Sequence, residues 1–576
     1  MMKILGISCY YHDAAAALII DGKIVAAAEE ERFSRVKHDS GFPKKAIAFC
    51  LSRAKLDAKD LNYVVFYEKP FSKFERITLS SFASAPRARG QFVNAYRTWL
   101  KDKLWIKATL AKEIGVKAKQ ILFTGHHLSH AAATYYTSPF TSAALLTCDG
   151  VGEWTTTAWG RASGNKIKLT HELKFPHSLG LFYSTFTQFL GFQVNEGEFK
   201  VMGLAPYGEP LYVDKVEKLI HQSADGAFSL DLSYFAFHLN DQVSYSQKFI
   251  DLFGVPPMDP KKSDTVEKVY ADIASSAQKV LDDKLLVIAR NVREKTGEEN
   301  LCYAGGVALN GVTNWKIFKE AGFKNIFIHP AAGDSGGALG AALYVYHHVL
   351  AKTKPVKSSF TTPYLGFENS DQDIKQFLED NKIKYKKLSD SQLTQTVSNM
   401  LTKKKVIGWV KGKFEWGPRA LGARSILADP RDRKMRDLVN AKIKFREAFR
   451  PFAPVCLYEY GDKYFDVSGG LGNGASQQPL QYMIAVVPVK EKWQKSLGAI
   501  THVDGTARPQ FIKREVNPAY YDVVKAFGKK TGVYVLLNTS FNLKGEPIVN
   551  TIADAYNTFT KSGIDALVLE NYLIVK

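Results

Sequence analysis

Residues 125–140 read GHHLSHAAATYYTSPF and set three histidines within five positions. His126 and His130 are four apart, so a helix would carry both on one face while His127 points elsewhere. H-x-x-x-H is the spacing of a two-ligand metal clip. It lacks the internal glutamate of a zinc-protease helix, and histidines so spaced are also ordinary part-buried residues. A second group of reactive side chains lies in residues 415–451, with ten Lys or Arg against five Asp or Glu. Arg419 and Arg424 bracket a loop in which Gly417, Pro418 and Gly422 force a tight path; Lys444 and Arg450 follow a basic helix. Arg508 in DGTARPQ and the polar pair Asn538 and Ser540 in LLNTSFN come later. A guanidinium is a planar fork suited to bidentate phosphate or carboxylate contacts, so several forks converging from separate loops make an anion site. Arg431, Arg433, Lys434 and Arg436 fall on one charged stretch and read instead as a solvated helix face.

The elements that must position these groups alternate between strand and helix. KILGIS (3–8) and AAAALII (14–20) are strand-length apolar runs, and Asp21-Gly22 turns the chain into KIVAAAEEE (23–31). TSAALLTC (141–148), the turn DGVGE and WTTTAWG (154–160) repeat the device about 130 residues on, which implies a duplicated α/β unit. A long helical pattern (264–297) precedes the strand NLCYAG, the glycine turn GGVALN (305–310), the strand NIFIHP and the glycine-rich helix start AAGDSGGALGAALYVYHH (331–348). Glycines there either let backbone N–H groups approach a phosphate or let helix and strand pack closely. AKTKPVKSSFTTPY (351–364) reads as a linker, after which strands and helices resume.

At 576 residues the chain exceeds a single core, and its 45% hydrophobic and 23% charged residues are those of a globular protein. No apolar run approaches membrane-spanning length, and the N-terminus is not a signal peptide. Five scattered cysteines form no C-x-x-C pair or disulfide framework, so a reducing cytoplasm is the expected compartment. The net charge of +20 fits nucleic acid, anionic small molecules or a lysine-rich surface; with no RNA-binding signature, nucleic acid is disfavoured.

Taken in order, YYHDAAAAL (10–18), EEERFSRVKHDSGFP (29–43), HHLSHAAATYYTSPF (126–140), CDGVGEW (148–154), GEFKVMGLAPYG (197–208), GGVALN, GDSGGALGAA (333–342), FEWGPRALGARSILADPR (414–431), KFREAFRPFAP (444–454), DGTARPQ and NTSFN resemble the O-carbamoyltransferases of nodulation-factor and antibiotic biosynthesis, such as the tobramycin and cephamycin enzymes. The resemblance implies an actin/Hsp70-type domain over 1–355, and over 356–576 a domain like the YrdC-type synthases. It implies a metal held by His126, His130, Asp149 and Asp334. Iron(II) is the metal implied, and this ligand set also suits manganese or zinc. It implies that ATP, with Mg2+, and carbamoyl phosphate yield carbamoyl-adenylate and pyrophosphate in the second domain. Arg419, Lys444, Arg450 and Arg508 would bind the anions, with Arg424 a further candidate and Asn538 and Ser540 donating hydrogen bonds. In the first domain His12 is the candidate general base, Lys37 a contact to adenylate or acceptor, and Lys200, Gly203, Gly305, Gly306, Asn310, Gly336 and Gly337 nucleotide-binding parts. The acceptor is a hydroxyl of a small molecule, its pocket drawn from 70–105 and 170–200, where the aromatics of 176–192 read first as core. A homodimer stays open, as do two other functions: tRNA threonylcarbamoyl-type modification and an actin-like ATPase scaffold.

Overall fold

The computed structural model describes residues 1–85, 90, 93, 96, 99, 103–240, 242–259, 266–351, 360–447, 449–467 and 478–576. Most of the linker expected over 351–364 lies outside the described residues. Two compact units result, Met1–Ala27 with Ser40–Phe360, and Ala28–Asp39 with Thr361–Lys576. A single cut near 355 therefore does not divide the chain: Ala28–Asp39 belongs with the second unit.

In the first unit, β1 (Lys3–Ser8), β2 (Ala15–Ile20) and β3 (Lys23–Glu29) run antiparallel, and β4 (Tyr63–Phe66) and β5 (Ile121–Phe123) are added in parallel, giving the order β3-β2-β1-β4-β5. Asp21 (φ 48°) and Gly22 (φ 76°) both take the left-handed conformation that a two-residue hairpin matched to strand twist requires. The same order recurs in the second half. There β6 (Ser142–Cys148), β7 (Thr155–Ser163) and β8 (Lys166–Lys174) form the antiparallel meander, with a short hairpin of β9 (Ile220–Gln222) and β10 (Phe228–Leu230) inserted before β11 (Asn300–Ala304) and β12 (Asn325–Ile328) add in parallel. The parallel strands β4, β11 and β12 and their neighbours β1, β2 and β6 are largely apolar and buried, whereas the outer strand β8 alternates exposed polar residues with Ile167, Leu169 and Leu173.

Two helices matter most for function, His126–Thr137 and Asp334–Tyr344. They pack against each other and the second also lies on β1. Glycine makes the approach feasible. A Cβ at Gly340 would sit 1.8 Å from the Ser129 carbonyl oxygen, and one at Gly6 would sit 1.8 Å from that of Ala338. Gly340→Ala is expected to cost about 1–3 kcal/mol, the usual scale of overpacking, and to force apart the two helices. A lower urea midpoint checks this; an unchanged midpoint refutes it.

The second unit is built on one eight-stranded mixed sheet. Its strands are β13 (Lys386–Lys387), β14 (Ile407–Val410), β15 (Arg424–Ala428), β16 (Ala453–Leu457), β19 (Gln510–Ile512), β20 (Val535–Ser540), β21 (Ala566–Leu569) and β22 (Tyr572–Val575); β17 (Val487–Pro488) and β18 (Thr506–Ala507) pair separately. The order is β13-β22-β21-β14-β15-β20-β16-β19. Among the described residues no helix is long and apolar enough to cross a membrane. All five cysteines are buried and unpaired with one another.

Candidate active site

His126 is the first residue of its helix and His130 stands one turn on, so both rings project from one face. Asp149 follows the end of β6, and Asp334 opens its own helix, where the N-terminal dipole favours a carboxylate. One ligand atom from each of these four lies within 4.8 Å of the others. The two Nε2 atoms are 3.1 Å apart. Asp149 Oδ2 is 3.2 Å from His126 and 2.9 Å from His130, and Asp334 Oδ1 is 3.6 Å from each. Atoms about 2.1 Å from a common metal lie about 3.0 Å apart in an octahedron and about 3.4 Å apart in a tetrahedron, so these separations fit a shared cation. Asp334 Oδ2 is also buried without a hydrogen-bond partner, which leaves that carboxylate ligating capacity in reserve.

The supporting contacts are specific. Glu153 accepts hydrogen bonds from the backbone N–H of His126, at 3.0 and 3.2 Å, and of Lys69 at 2.7 Å, which satisfies the start of the histidine helix. His127 points away and bonds Thr147 Oγ1 at 2.8 Å and the Thr155 carbonyl at 2.9 Å; burial first, then the neighbouring histidines, lower its pKa to about 3. Burial would raise the Asp149 carboxyl, yet hydrogen bonds from His126 and His130 outweigh it and hold it well below the ordinary range. Burial would lower His130, but bonds to Asp149 and Asp334 carry it to about 9.

His12 bonds Asp13 at 2.8 Å. Burial opposes its charge, but the Asp13 bond and the charges of Asp13, Asp334 and Glu198 raise it to about 9. Its imidazole is therefore held towards the protonated form near neutral pH, the form that donates hydrogen bonds from both ring nitrogens. A pKa raised above the ordinary 6.5 contributes stability that is complete below that value and is lost as pH rises through about 9. Urea unfolding between roughly pH 6 and 10 is expected to show a decline that His12→Gln lacks. Parallel curves would exclude it.

Other positions divide. A Cβ at Gly305 (φ 99°) would lie 2.2 Å from the Cys148 carbonyl oxygen, and one at Gly306 2.9 Å from Asp149 Oδ1, so this turn is pressed against the metal-ligand strand end. A Cβ at Gly336 would meet the Ala331 carbonyl oxygen at 2.0 Å and one at Gly337 the Tyr67 ring at 2.8 Å: these glycines serve close packing. Asn310 caps the Gly311–Glu320 helix and bonds Gln278 at 3.0 Å, so its amide is occupied. Gly203 is buried in the Glu198–Leu204 helix, which also bears the half-buried Lys200, its ammonium 5.4 Å from the Phe192 ring. The acceptor stretch expected at 70–105 falls partly outside the described residues. In 176–192, Phe182, Phe186 and Phe189 are core: Phe182 meets Phe186 edge to face, and Phe186 and Phe189 each meet Phe249 the same way.

In the second unit, cations gather with few acids. Arg419 is half-buried, and burial, then the Arg450 charge, lower it to about 10. Arg508 is pushed well below its usual value by burial and by Arg419, Arg446 and Arg450. Neither Arg419 nor Arg508 has a hydrogen bond or ion pair among the described residues, and Arg508 Nε is buried without a partner. Arg450 bonds Glu447 at 3.3 Å. Lys444, lowered by burial and by Arg446 and Arg450, donates to the Ser540 carbonyl at 2.5 Å and Asn542 Oδ1 at 2.7 Å. Arg446, which sequence reasoning passed over, joins the group; the spacing KFREAFR was its signal. Lys37 also belongs to this unit and adds its charge at Lys444, so its expected place in the first domain is corrected. Arg424 is not part of the group: fully buried, it donates to the carbonyls of Gly412, Ala423 and Phe367 at 2.8–3.1 Å. Asn538 spends its amide N–H on the Ala420 carbonyl at 3.0 Å, leaving a buried, unpartnered Oδ1 that can accept a hydrogen bond instead of donating one.

The α/β protein thus gathers a His/Asp cluster in one unit and, in the other, two guanidinium groups that have no anionic partner among the described residues. The chain belongs to the carbamoyltransferase family, an enzyme family, with residues 3–343 matching the carbamoyltransferase N-terminus and residues 398–576 the carbamoyltransferase C-terminus. It is 45% identical to an uncharacterized protein of Synechocystis over all of this chain and 97% of that one. It is 37% identical to nodulation protein NolNO of Sinorhizobium fredii over 98% of this chain and 79% of that one. It is 32% identical to the 3'-hydroxymethylcephem-O-carbamoyltransferase of Amycolatopsis lactamdurans over 53% of this chain and 54% of that one. Among solved structures, component A of the Acidaminococcus fermentans (R)-2-hydroxyglutaryl-CoA dehydratase aligns over 60% of this chain and 98% of its own at 16% identity, with a TM-score of 0.33.

Proposed function

We propose that the protein is an ATP-dependent O-carbamoyltransferase in which the second unit makes carbamoyl-adenylate and the first transfers the carbamoyl group to a hydroxyl of a small-molecule natural product or sugar. On this reading the first unit is of the actin/Hsp70 type and the second of the YrdC type. The observation that carries it is the gathering of Arg419, Arg450, Arg508 and Lys444, with two of these guanidinium groups lacking any anionic partner among the described residues. Charges so buried and mutually repelling are costly unless an anion joins them. Carbamoyl phosphate loses its phosphate to water, freeing carbamate; a carbamate oxygen then attacks the α-phosphorus of ATP and pyrophosphate leaves. Arg419, Arg450, Arg508 and Lys444 hold the phosphate oxygens and balance the charge that shifts among them. Asn538 Oδ1 accepts from the carbamoyl NH2.

In the first unit, His126, His130, Asp149 and Asp334 would hold the metal, for which we propose iron(II). Bound there it supplies Lewis-acid polarisation of an adenylate oxygen. His12, protonated near neutrality, donates a hydrogen bond to the oxygen on which charge collects; the acceptor oxygen bonds the carbamoyl carbon, the bond from that carbon to the adenylate phosphate oxygen breaks, and AMP leaves with its phosphate taking up the acceptor's hydroxyl proton. The hydroxymethyl group in the cephem relative's name is the kind of acceptor we assign.

The test is pyrophosphate release from ATP and carbamoyl phosphate without acceptor. Release that requires carbamoyl phosphate supports the reading. Silence from folded, metal-loaded protein, repeated across an acceptor series, sinks it.

A further inference from the structure

Arg419 sits in the loop between β14 and β15, and that loop is held to an unusual degree by side chains. Glu415 is fully buried and accepts from three backbone N–H groups, Leu421 at 2.8 Å, Ala423 at 2.7 Å and Arg424 at 3.1 Å. This fixes the loop after Arg419. Before it stands Gly417 at φ 113°, a conformation that only glycine adopts readily and that its own freedom does not hold in place. The restraint comes from the chain's N-terminal region. Glu29 accepts the Gly417 N–H at 2.8 Å, and Arg32 donates to the Gly417 carbonyl at 2.9 Å. Glu29 and Gly417 are 388 residues apart in sequence.

We propose that Glu29 and Arg32 are positioning residues for the anion site: they grip both polar groups of Gly417 and so set the direction in which Arg419 presents its guanidinium. The proposal rests on the reading of the second unit given above. Glu29 and Arg32 are 4% and 2% exposed, so water does not compete for these bonds. The pair is itself braced. Arg32 Nε lies 3.5 Å from Glu29 Oε2, and the Arg32 guanidinium lies 4.4 Å from the Phe414 ring centre. Arg35, one turn on, donates to the carbonyls of Ile548 at 2.6 Å and Pro547 at 2.9 Å, which moors the segment on the far side. Small errors in the placement of a charged donor cost catalysis steeply, because its contribution depends on preorganisation.

The experiment is a double-mutant cycle in the full-length chain, read as kcat/KM for pyrophosphate formation. Glu29→Ala is expected to lower it about tenfold, the scale of a buried donor left unpaired. Glu29→Gln, whose amide oxygen still accepts the Gly417 N–H, recovers most of the loss. Added to Arg419→Ala, Glu29→Ala costs less than about twofold, since nothing is left to position. The same factor in both backgrounds, or a Glu29→Ala protein as active as wild type, overturns the proposal and leaves the anion site standing. An Arg419→Ala protein with full activity overturns the reading of the second unit itself. Should Glu29→Ala not fold, Arg32→Lys carries the cycle: it keeps the charge and loses the fork, and is expected to cost several-fold in the wild-type background only.

Discussion

Replacing Arg419 or Arg508 with alanine is expected to lower pyrophosphate formation by about 10²–10³-fold each, the range found when one preorganised donor to a developing charge is removed. These two guanidinium groups have no hydrogen-bond or ion-pair partner among the described residues, so removing either breaks no bond seen there. It also relieves repulsion, since, burial apart, Arg450 lowers Arg419 and the charges of Arg419, Arg446 and Arg450 lower Arg508. The variants are therefore expected to be as stable as wild type or more so while losing activity, a combination that a structural arginine cannot give. Arg424 supplies the contrast: its guanidinium spans three carbonyl oxygens, and Arg424→Ala is expected to lose several kcal/mol of stability by leaving buried acceptors unpaired. Thermal melts alongside pyrophosphate assays separate the two cases. An inactive but less stable Arg419→Ala protein would assign that residue to the fold.

How far the sequence reached depended on the kind of information each feature needs. Hairpins were legible because Asp21-Gly22 carries its own turn chemistry and because buried parallel strands announce themselves as apolar runs. The repeated strand order follows from the second hairpin at β6 and β7. The histidine pair was visible as i, i+4 on a helix, but its partners, Asp149 and Asp334, are joined to it only by tertiary structure, and no spacing rule reaches across 185 residues from Asp149 to Asp334. Likewise, nothing in EEERFSRVKHD says that it belongs with the second unit: the bonds that tie Glu29 and Arg32 to Gly417 join residues far apart in the chain. Arg424 misled because type and loop position matched Arg419, while burial, which decides whether a guanidinium is free for a ligand, is not a local property. Gly336 and Gly337 were ambiguous for the same reason: a glycine before a helix serves ligand approach or helix packing, and only its neighbours tell which.

Asp149→Asn and His130→Ala are expected to release the metal and to lower carbamoyl transfer to an acceptor by about 10³-fold or more, while pyrophosphate formation stays within about twofold of wild type. The geometry argues for so sharp a split. Asp149 Oδ2 and the two Nε2 atoms converge within 3.2 Å of one another, close enough for one cation to bind all three. Asn keeps the shape of Asp149 but loses the negative charge and half the ligating oxygens, so binding falls although the pocket is intact. His130 lies at the centre, in reach of His126, Asp149 and Asp334, so its removal takes away one ligand and the contact that aligns two others. The cluster belongs to the first compact unit and the cationic group to the second. Metal content by elemental analysis and the two half-reactions measured on the same preparations read the split directly. Equal loss of both activities in a folded variant would tie the metal to adenylation, and retained transfer in metal-free protein would remove it from the reaction altogether.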